Sequence, residues 1–264
     1  MRTFLITCWL CLMLHPAKAD PLEVDLELFL AVDVSRSMNP TELELQRQGY
    51  AAALASDEIW SRIAGGMIGR IALTYVEWAG YVTQKVVVPW TLIDSPEDAR
   101  AIADQITAHF DESLRRTSIS DALLYAQASM RDNDFTGLRR VIDISGDGPN
   151  NSGQLVLVAR DAVLADGIVI NGLPLLTTDE LSDRWGIPDL DVYYRECVIG
   201  GPGAFVLPVL GWEAFAEAVK RKLLLEISDH APRDASPRIR HAQAYDCQIG
   251  EKIFERNMSR FSLP

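Results

Sequence analysis

Residues 28–40 read LFLAVDVSRSMNP. Glu23, Asp25 and Glu27 alternate with apolar residues, and then Leu28 to Val32 is apolar without a break. Val24–Val32 therefore reads as a strand that becomes buried on both faces. Asp33 ends the run, and Ser35 and Ser37 follow at every second position. On an extended backbone that spacing projects one carboxylate and two hydroxyls to the same side. Asn39-Pro40-Thr41-Glu42 then reads as a helix start: Asn39 as the cap, Pro40 at the first helical position, and Glu42 three residues past the cap. A buried strand passing through an acid-bearing loop into a helix is the opening unit of an α/β fold.

The rest of the chain continues that alternation. The first helix is expected to run to about Ser61. Arg70–Trp78 and Thr83–Trp90 read as strands joined by a turn at Ala79-Gly80. Ser95-Pro96-Glu97 opens a helix to about Phe110, and Thr117–Met130 holds another. Leu138–Ser145 reads as a strand, Gly153–Ala165 as a helix stopped by Asp166-Gly167, and Ile168–Leu173 as a strand. Residues 177–190 read as a loop, Val192–Val198 and Ala204–Leu207 as the last strands, and Trp212–Ile227 as a closing amphipathic helix. The expected architecture is a Rossmann-like open, mostly parallel sheet with one antiparallel edge strand and helices on both faces.

Met1–Ala19 has the form of a secretory signal peptide. Arg2 precedes an apolar stretch from Phe4 to Leu14, and Ala17-Lys18-Ala19 offers a small-x-small cleavage site. The stretch is too short to span a bilayer. The expected mature chain starts at Asp20 and is secreted or periplasmic, with a domain over 20–227 and a C-terminal tail over 228–264. The whole sequence carries 25 basic and 37 acidic residues. That balance excludes a nucleic-acid partner, which needs clustered cations. Cys8 and Cys11 leave with the leader, so Cys197 and Cys247 remain. An oxidising compartment favours a disulfide between them, which would pin the tail, over two free thiols.

Ligands of an open α/β sheet gather beyond the carboxyl ends of its strands. Asp33, Ser35 and Ser37 lie there. So does Asp147, in Ser145-Gly146-Asp147-Gly148 after the VIDIS strand, and Thr117 opens a later helix. Asp and hydroxyl oxygens suit a hard divalent cation rather than zinc or copper. Taken singly, each serine would cap a helix start. Asp143 has apolar flanks and reads as a buried hydrogen-bonded acid or an edge residue. Asp121 reads as a capping or solvated acid. His109, His230 and His241 show no partner, and no G-x-S-x-G occurs, which disfavours serine hydrolysis. No Walker lysine follows a strand, and the glycines after Ser145 do not fit a dinucleotide turn.

The D-x-S-x-S of Asp33, Ser35 and Ser37, with Thr117 at a helix start and Asp147 before a glycine, resembles the von Willebrand factor A domain family. The resemblance covers about residues 23–227. It implies a metal-ion-dependent adhesion site holding Mg²⁺ (or Mn²⁺ or Ca²⁺) on Asp33, Ser35, Ser37, Thr117 and Asp147, with an open position for a carboxylate from a protein partner. It implies a binding protein and not an enzyme. Two departures stand out: Arg115-Arg116 replaces the common glycine pair before the threonine, and Gly146 replaces the threonine before the last acid. Ser118 or Ser120 could stand in for Thr117. Two other readings remain open on the residues alone: a metal-dependent hydrolase or phosphatase using Asp33, and a scaffold with a degenerate site.

Overall fold

A computed structural model describes residues 20–108, 114–176, 185–228 and 245–261, with side chains to 259. The expected leader and His109, His230 and His241 lie outside these residues. Five strands, β1 (Leu22–Asp33), β2 (Ile71–Trp78), β3 (Gln84–Ile93), β4 (Phe135–Gly146) and β5 (Val169–Pro174), form one sheet in the order β3-β2-β1-β4-β5. β1 pairs in parallel with β2 and β4, and β4 with β5. β3 is the antiparallel edge, joined to β2 by the turn expected at residues 79–80.

The alternation of side chains along β1 divides the core into two layers. Leu26, Leu28, Leu30 and Val32 face one layer, covered by α1 (Pro40–Leu54), α2 (Asp57–Ala64), α3 (Pro96–Thr107) and α7 (Phe215–Ile227). Phe29 and Ala31 face the other, covered by α4 (Ile119–Arg131), α5 (Val156–Ala165) and α6 (Leu190–Tyr193). Helices on both faces explain why β1 carries apolar side chains on both sides.

Three expectations need correction. The single helix expected from Pro40 to Ser61 is two. Ser56 ends the first through its hydroxyl bond to the Ala53 carbonyl and caps the second by accepting from Ile59 N. The break turns Ile59 and Ile63 into the core. The strand expected over Val192–Val198 is helical: α6 continues as a wider-turned segment, Tyr194–Val198. Leu190, Tyr193, Tyr194, Cys197 and Val198 are all buried there, and that spacing is helical. The strand expected over Ala204–Leu207 is an irregular segment. It makes isolated bridges to β5, such as Gly172 with Val206, because Pro202, Gly203 and Pro208 prevent a continuous ladder.

Two buried ionic groups tie the layers together. Arg47 of α1 donates to both carboxylate oxygens of Glu77 on β2, at 2.7 and 3.2 Å. Lys222 of α7 is fully buried and lies 2.5 Å from Asp143 on β4 and 2.5 Å from Glu226. Asp143 is thus a buried, paired acid. Past residue 228, where only a tail was expected, the chain forms α8 (Ile249–Phe261). A Cys197–Cys247 disulfide joins the approach to α8 to the end of the α6 segment. Tyr245 donates to Asp189 at 3.0 Å beside it.

Candidate metal centre

Parallel pairing sets the carboxyl ends of β1 and β4 side by side, with Val32 opposite Ser145. Asp33 and Asp147 therefore emerge at the same rim. Gln46 of α1 holds the Asp33 carbonyl at 2.9 Å, so the first helix clamps the loop it follows. The capping box that starts α1 is present: Asn39 accepts from Thr41 N and Glu42 N, and Glu42 accepts from Asn39 N at 2.8 Å. The loop between these clamps folds back tightly. Ser35 N donates to Asp33 Oδ1 at 2.7 Å, the two serine hydroxyls lie 3.1 Å apart, and Ser37 donates to Asp147 Oδ1 at 2.7 Å. A continuous run of oxygen-bearing groups thus links Asp33 to Asp147.

Thr117 comes to the same rim from the start of α4. Its N–H donates to Asn151 Oδ1 at 3.0 Å, and its carbonyl accepts from Asn151 N at 2.9 Å. Ser118 and Ser120, the alternatives to Thr117, are engaged elsewhere. Ser118 caps α4, donates to Asp121 at 2.7 Å and contacts Ser120 at 3.3 Å. Asp121 completes that cap.

Asp33 is fully buried, yet among the described residues its Oδ2 has no hydrogen-bond partner. A buried carboxylate oxygen left in this state is costly. Burial pushes the Asp33 carboxyl well above its usual range, and the neighbouring charge of Asp147 pushes it further, against hydrogen bonds from Ser35. A divalent cation between the two carboxylates would offset both penalties. The residues therefore fit a hard cation: two carboxylates, three hydroxyls and an orphaned acceptor at a strand-end rim. Among the described residues no group of three or more His, Cys, Asp and Glu could hold a metal ion.

The Gly146 departure has a local cause. A Cβ there would lie 2.8 Å from Asp33 Oδ2 and 2.9 Å from the Tyr194 hydroxyl. Tyr194, from the α6 segment, is fully buried beneath the rim, where burial first and then the Asp33 charge push its hydroxyl well up. The Arg115-Arg116 departure forms one side of a cleft of about 360 Å³ next to the rim. Ser35, Ser37 and Thr117 line it together with Arg36, Arg115, Arg116, Trp185 and Phe254. Gly80 is needed for this loop to pass, since a Cβ would lie 2.6 Å from the Arg115 carbonyl.

Gln46, Tyr194, Asn151 and Phe254 were not singled out in the sequence as parts of the site. Tyr194 and Phe254 act from elements remote in sequence, whereas Gln46 lies on the helix that follows Asp33 and Asn151 lies four residues past Asp147.

The sequence model of a family described as protein of unknown function (DUF1194) matches residues 23–231. No curated protein sequence matches the chain. The fold is similar to that of proximal thread matrix protein 1 from the mussel byssus, with TM-score 0.56, 14% identity, and 80% of this chain and 49% of that chain covered. A structure of that protein with a zinc-occupied MIDAS motif gives TM-score 0.53, also at 14% identity and 80% and 49% coverage. The pilus adhesin SpaC from Lactobacillus rhamnosus GG gives TM-score 0.57 and 12% identity, with 80% of this chain and 31% of that chain covered. The chain thus spans half or less of each of these proteins. The likeness establishes a von Willebrand factor A-like fold.

Proposed function

The chain belongs to the DUF1194 family, and from that and its von Willebrand factor A-like fold we propose that it is an adhesion-type binding protein whose divalent cation captures a carboxylate of a protein partner. The observation that carries the reading is the buried Asp33 Oδ2, unpartnered among the described residues, at one end of an oxygen run that reaches Asp147. Asp33, Ser35, Ser37, Thr117 and Asp147 would hold the ion. Mg²⁺ or Mn²⁺ suits that all-oxygen set, with Ca²⁺ the larger alternative. The two carboxylates formally balance a divalent ion, so an incoming carboxylate would be drawn by a coordination position that the neutral hydroxyls leave to exchangeable water, not by net charge.

The chain's own residues do the rest. Gln46 and the Asn39 cap fix the Asp33–Ser37 loop before any ligand arrives, which lowers the ordering cost of binding. Asn151 fixes the backbone of Thr117. In this reading the site residues hold an ion and a ligand, and none is given a bond-breaking role. A place outside the cytoplasm belongs to this reading, and the Cys197–Cys247 disulfide, which suits an oxidising compartment, supports it. Among the described residues no helix is long and apolar enough to cross a membrane. Two mussel-byssus and pilus proteins of the same fold, one named as a matrix protein and one as an adhesin, support an adhesive role.

Calorimetric titration of Mg²⁺ and Mn²⁺ tests this. The protein should bind one ion per chain, and Asp33→Ala should bind none. Equal heats from both proteins would sink the site.

A further inference from the structure

The metal rim does not open onto a flat surface. Trp185 and Phe254 of α8 give the cleft beside it an aromatic wall, and Arg36, Arg115 and Arg116 line the same cleft. The aromatic wall is built from stacked parts. Trp185 lies 5.9 Å from Phe254 between ring centroids, and the Arg116 guanidinium sits 4.6 Å above the Phe254 ring. Arg116 reaches this place with a left-handed backbone, φ +70°. Arg36, Arg115 and Arg116 are exposed and make no ion pair among the described residues. Three exposed arginines that make no ion pair among the described residues stand out around one cleft in a chain of net charge −12. Apolar surface and concentrated positive charge next to one carboxylate-binding rim call for a ligand that carries both features.

We infer that this cleft reads the neighbour of the captured carboxylate, and that its ligand is an acidic peptide segment in which an aliphatic or aromatic residue adjoins the aspartate or glutamate. This rests on the metal reading above. The rim would take the acid, the Trp185–Phe254 wall would cover the apolar side chain, and Arg36 and Arg115 would attract further acids by long-range charge. Charge complementarity favours an acidic partner over a basic one. The apolar wall favours a peptide over an acidic polysaccharide, which has no aliphatic side chain to bury. α8 supplies Phe254 and is tied in place by three contacts. These are the disulfide at Cys247, the 2.7 Å bond from Asn150 to Glu251, and the close seat of Gly250 against the Asn150 carbonyl.

The test is selection from a displayed peptide library with one fixed aspartate and randomised flanks. It is panned on the full chain with Mg²⁺ and eluted with chelator, with Mg²⁺ calorimetry run beside it. Leu, Ile, Met or Phe next to the aspartate should enrich about tenfold or more over input. A factor of ten corresponds to about 1.4 kcal/mol, within what covering one such side chain provides. Phe254→Ser should return the enrichment to input level, its Mg²⁺ heat reporting that the rim is still folded. Arg115→Ser, at an exposed position, should weaken all selected peptides and flatten their salt dependence. Chelator-eluted peptides without a flanking preference would overturn the cleft and leave the metal reading intact. So would Mg²⁺ heat with no chelator-sensitive peptides. No Mg²⁺ heat would overturn both. Displacement of selected peptides by oligogalacturonate at equal carboxylate concentration would assign the cleft to a polysaccharide and overturn the peptide reading.

Discussion

Asp33 carries opposite consequences for stability and for binding. Its charged form is disfavoured by burial and by Asp147, and one of its oxygens has no hydrogen-bond partner among the described residues. Asp33→Asn should therefore leave thermal stability in chelator unchanged or raised. It should also abolish the gain that Mg²⁺ gives the parent, about 2.7 kcal/mol when the ion is at a hundred times its Kd. Differential scanning fluorimetry with and without Mg²⁺ checks both halves. A variant less stable in chelator would mean that Asp33 is a structural residue first. The acid and the two serines were legible because they and the cap that follows lie within Asp33–Asn39, although Ser35–Met38 is a turn and not the extended backbone expected. Gly146 was read only as a departure. The reason for it, the Tyr194 hydroxyl, comes from an element almost fifty positions away and leaves no trace in the local pattern.

At the scale of elements, the strands and the helices that begin with a polar cap were legible, since their signals lie within one or two turns. The misread stretch over 192–198 shows the limit. Val192, Tyr193, Tyr194 and Val198 have strand-like side chains, and only the two-sided contact of Tyr193 and Tyr194 with α5 and the sheet makes the stretch helical. α8 was hidden for a related reason. Its apolar residues are few, and they pay off only against a surface built by residues 149–151 and 185. Gly250 is the closest point of that contact, where a Cβ would lie 2.1 Å from the Asn150 carbonyl. Gly250→Ala should shift the start of α8 off the rim without unfolding the sheet. Amide exchange should speed up across residues 249–261 and stay slow in β1 and β4. Slow exchange in α8 of the variant would show that the loop gives way instead.

For the molecule as a whole, the buried Asp143–Lys222–Glu226 group holds two acids to one base. Burial, then the Asp143 charge, pushes Glu226 up to about 7 from its usual 4.5, against Lys222 and Asn171. Between those values the folded chain keeps a proton that the unfolded chain has released. Folding stability from this group therefore falls as pH rises from about 4.5 to 7. Glu226→Gln stays neutral and should flatten that slope in denaturant melts run at pH 5 and pH 7.5. An unchanged slope would place the proton elsewhere. The general architecture was legible before the structure. The group that couples the sheet to its closing helix was not, because Asp143 and Lys222 are far apart in sequence and nothing local marks them as partners.

The place of β1 has a kinetic consequence. It is the first strand in the chain and the middle strand in the sheet: Leu30 lies opposite Tyr75 on one side and Asp143 on the other. As the chain emerges, β2 and β3 can close one side early. The other side must wait for more than a hundred residues. Pairings so distant in sequence make folding slow, and during that wait the edge LFLAV presents unpaired amides and carbonyls on an apolar strand. The late arrival of β4, rather than the strength of the finished sheet, sets the interval during which a nascent chain is open to edge-to-edge association with its neighbours.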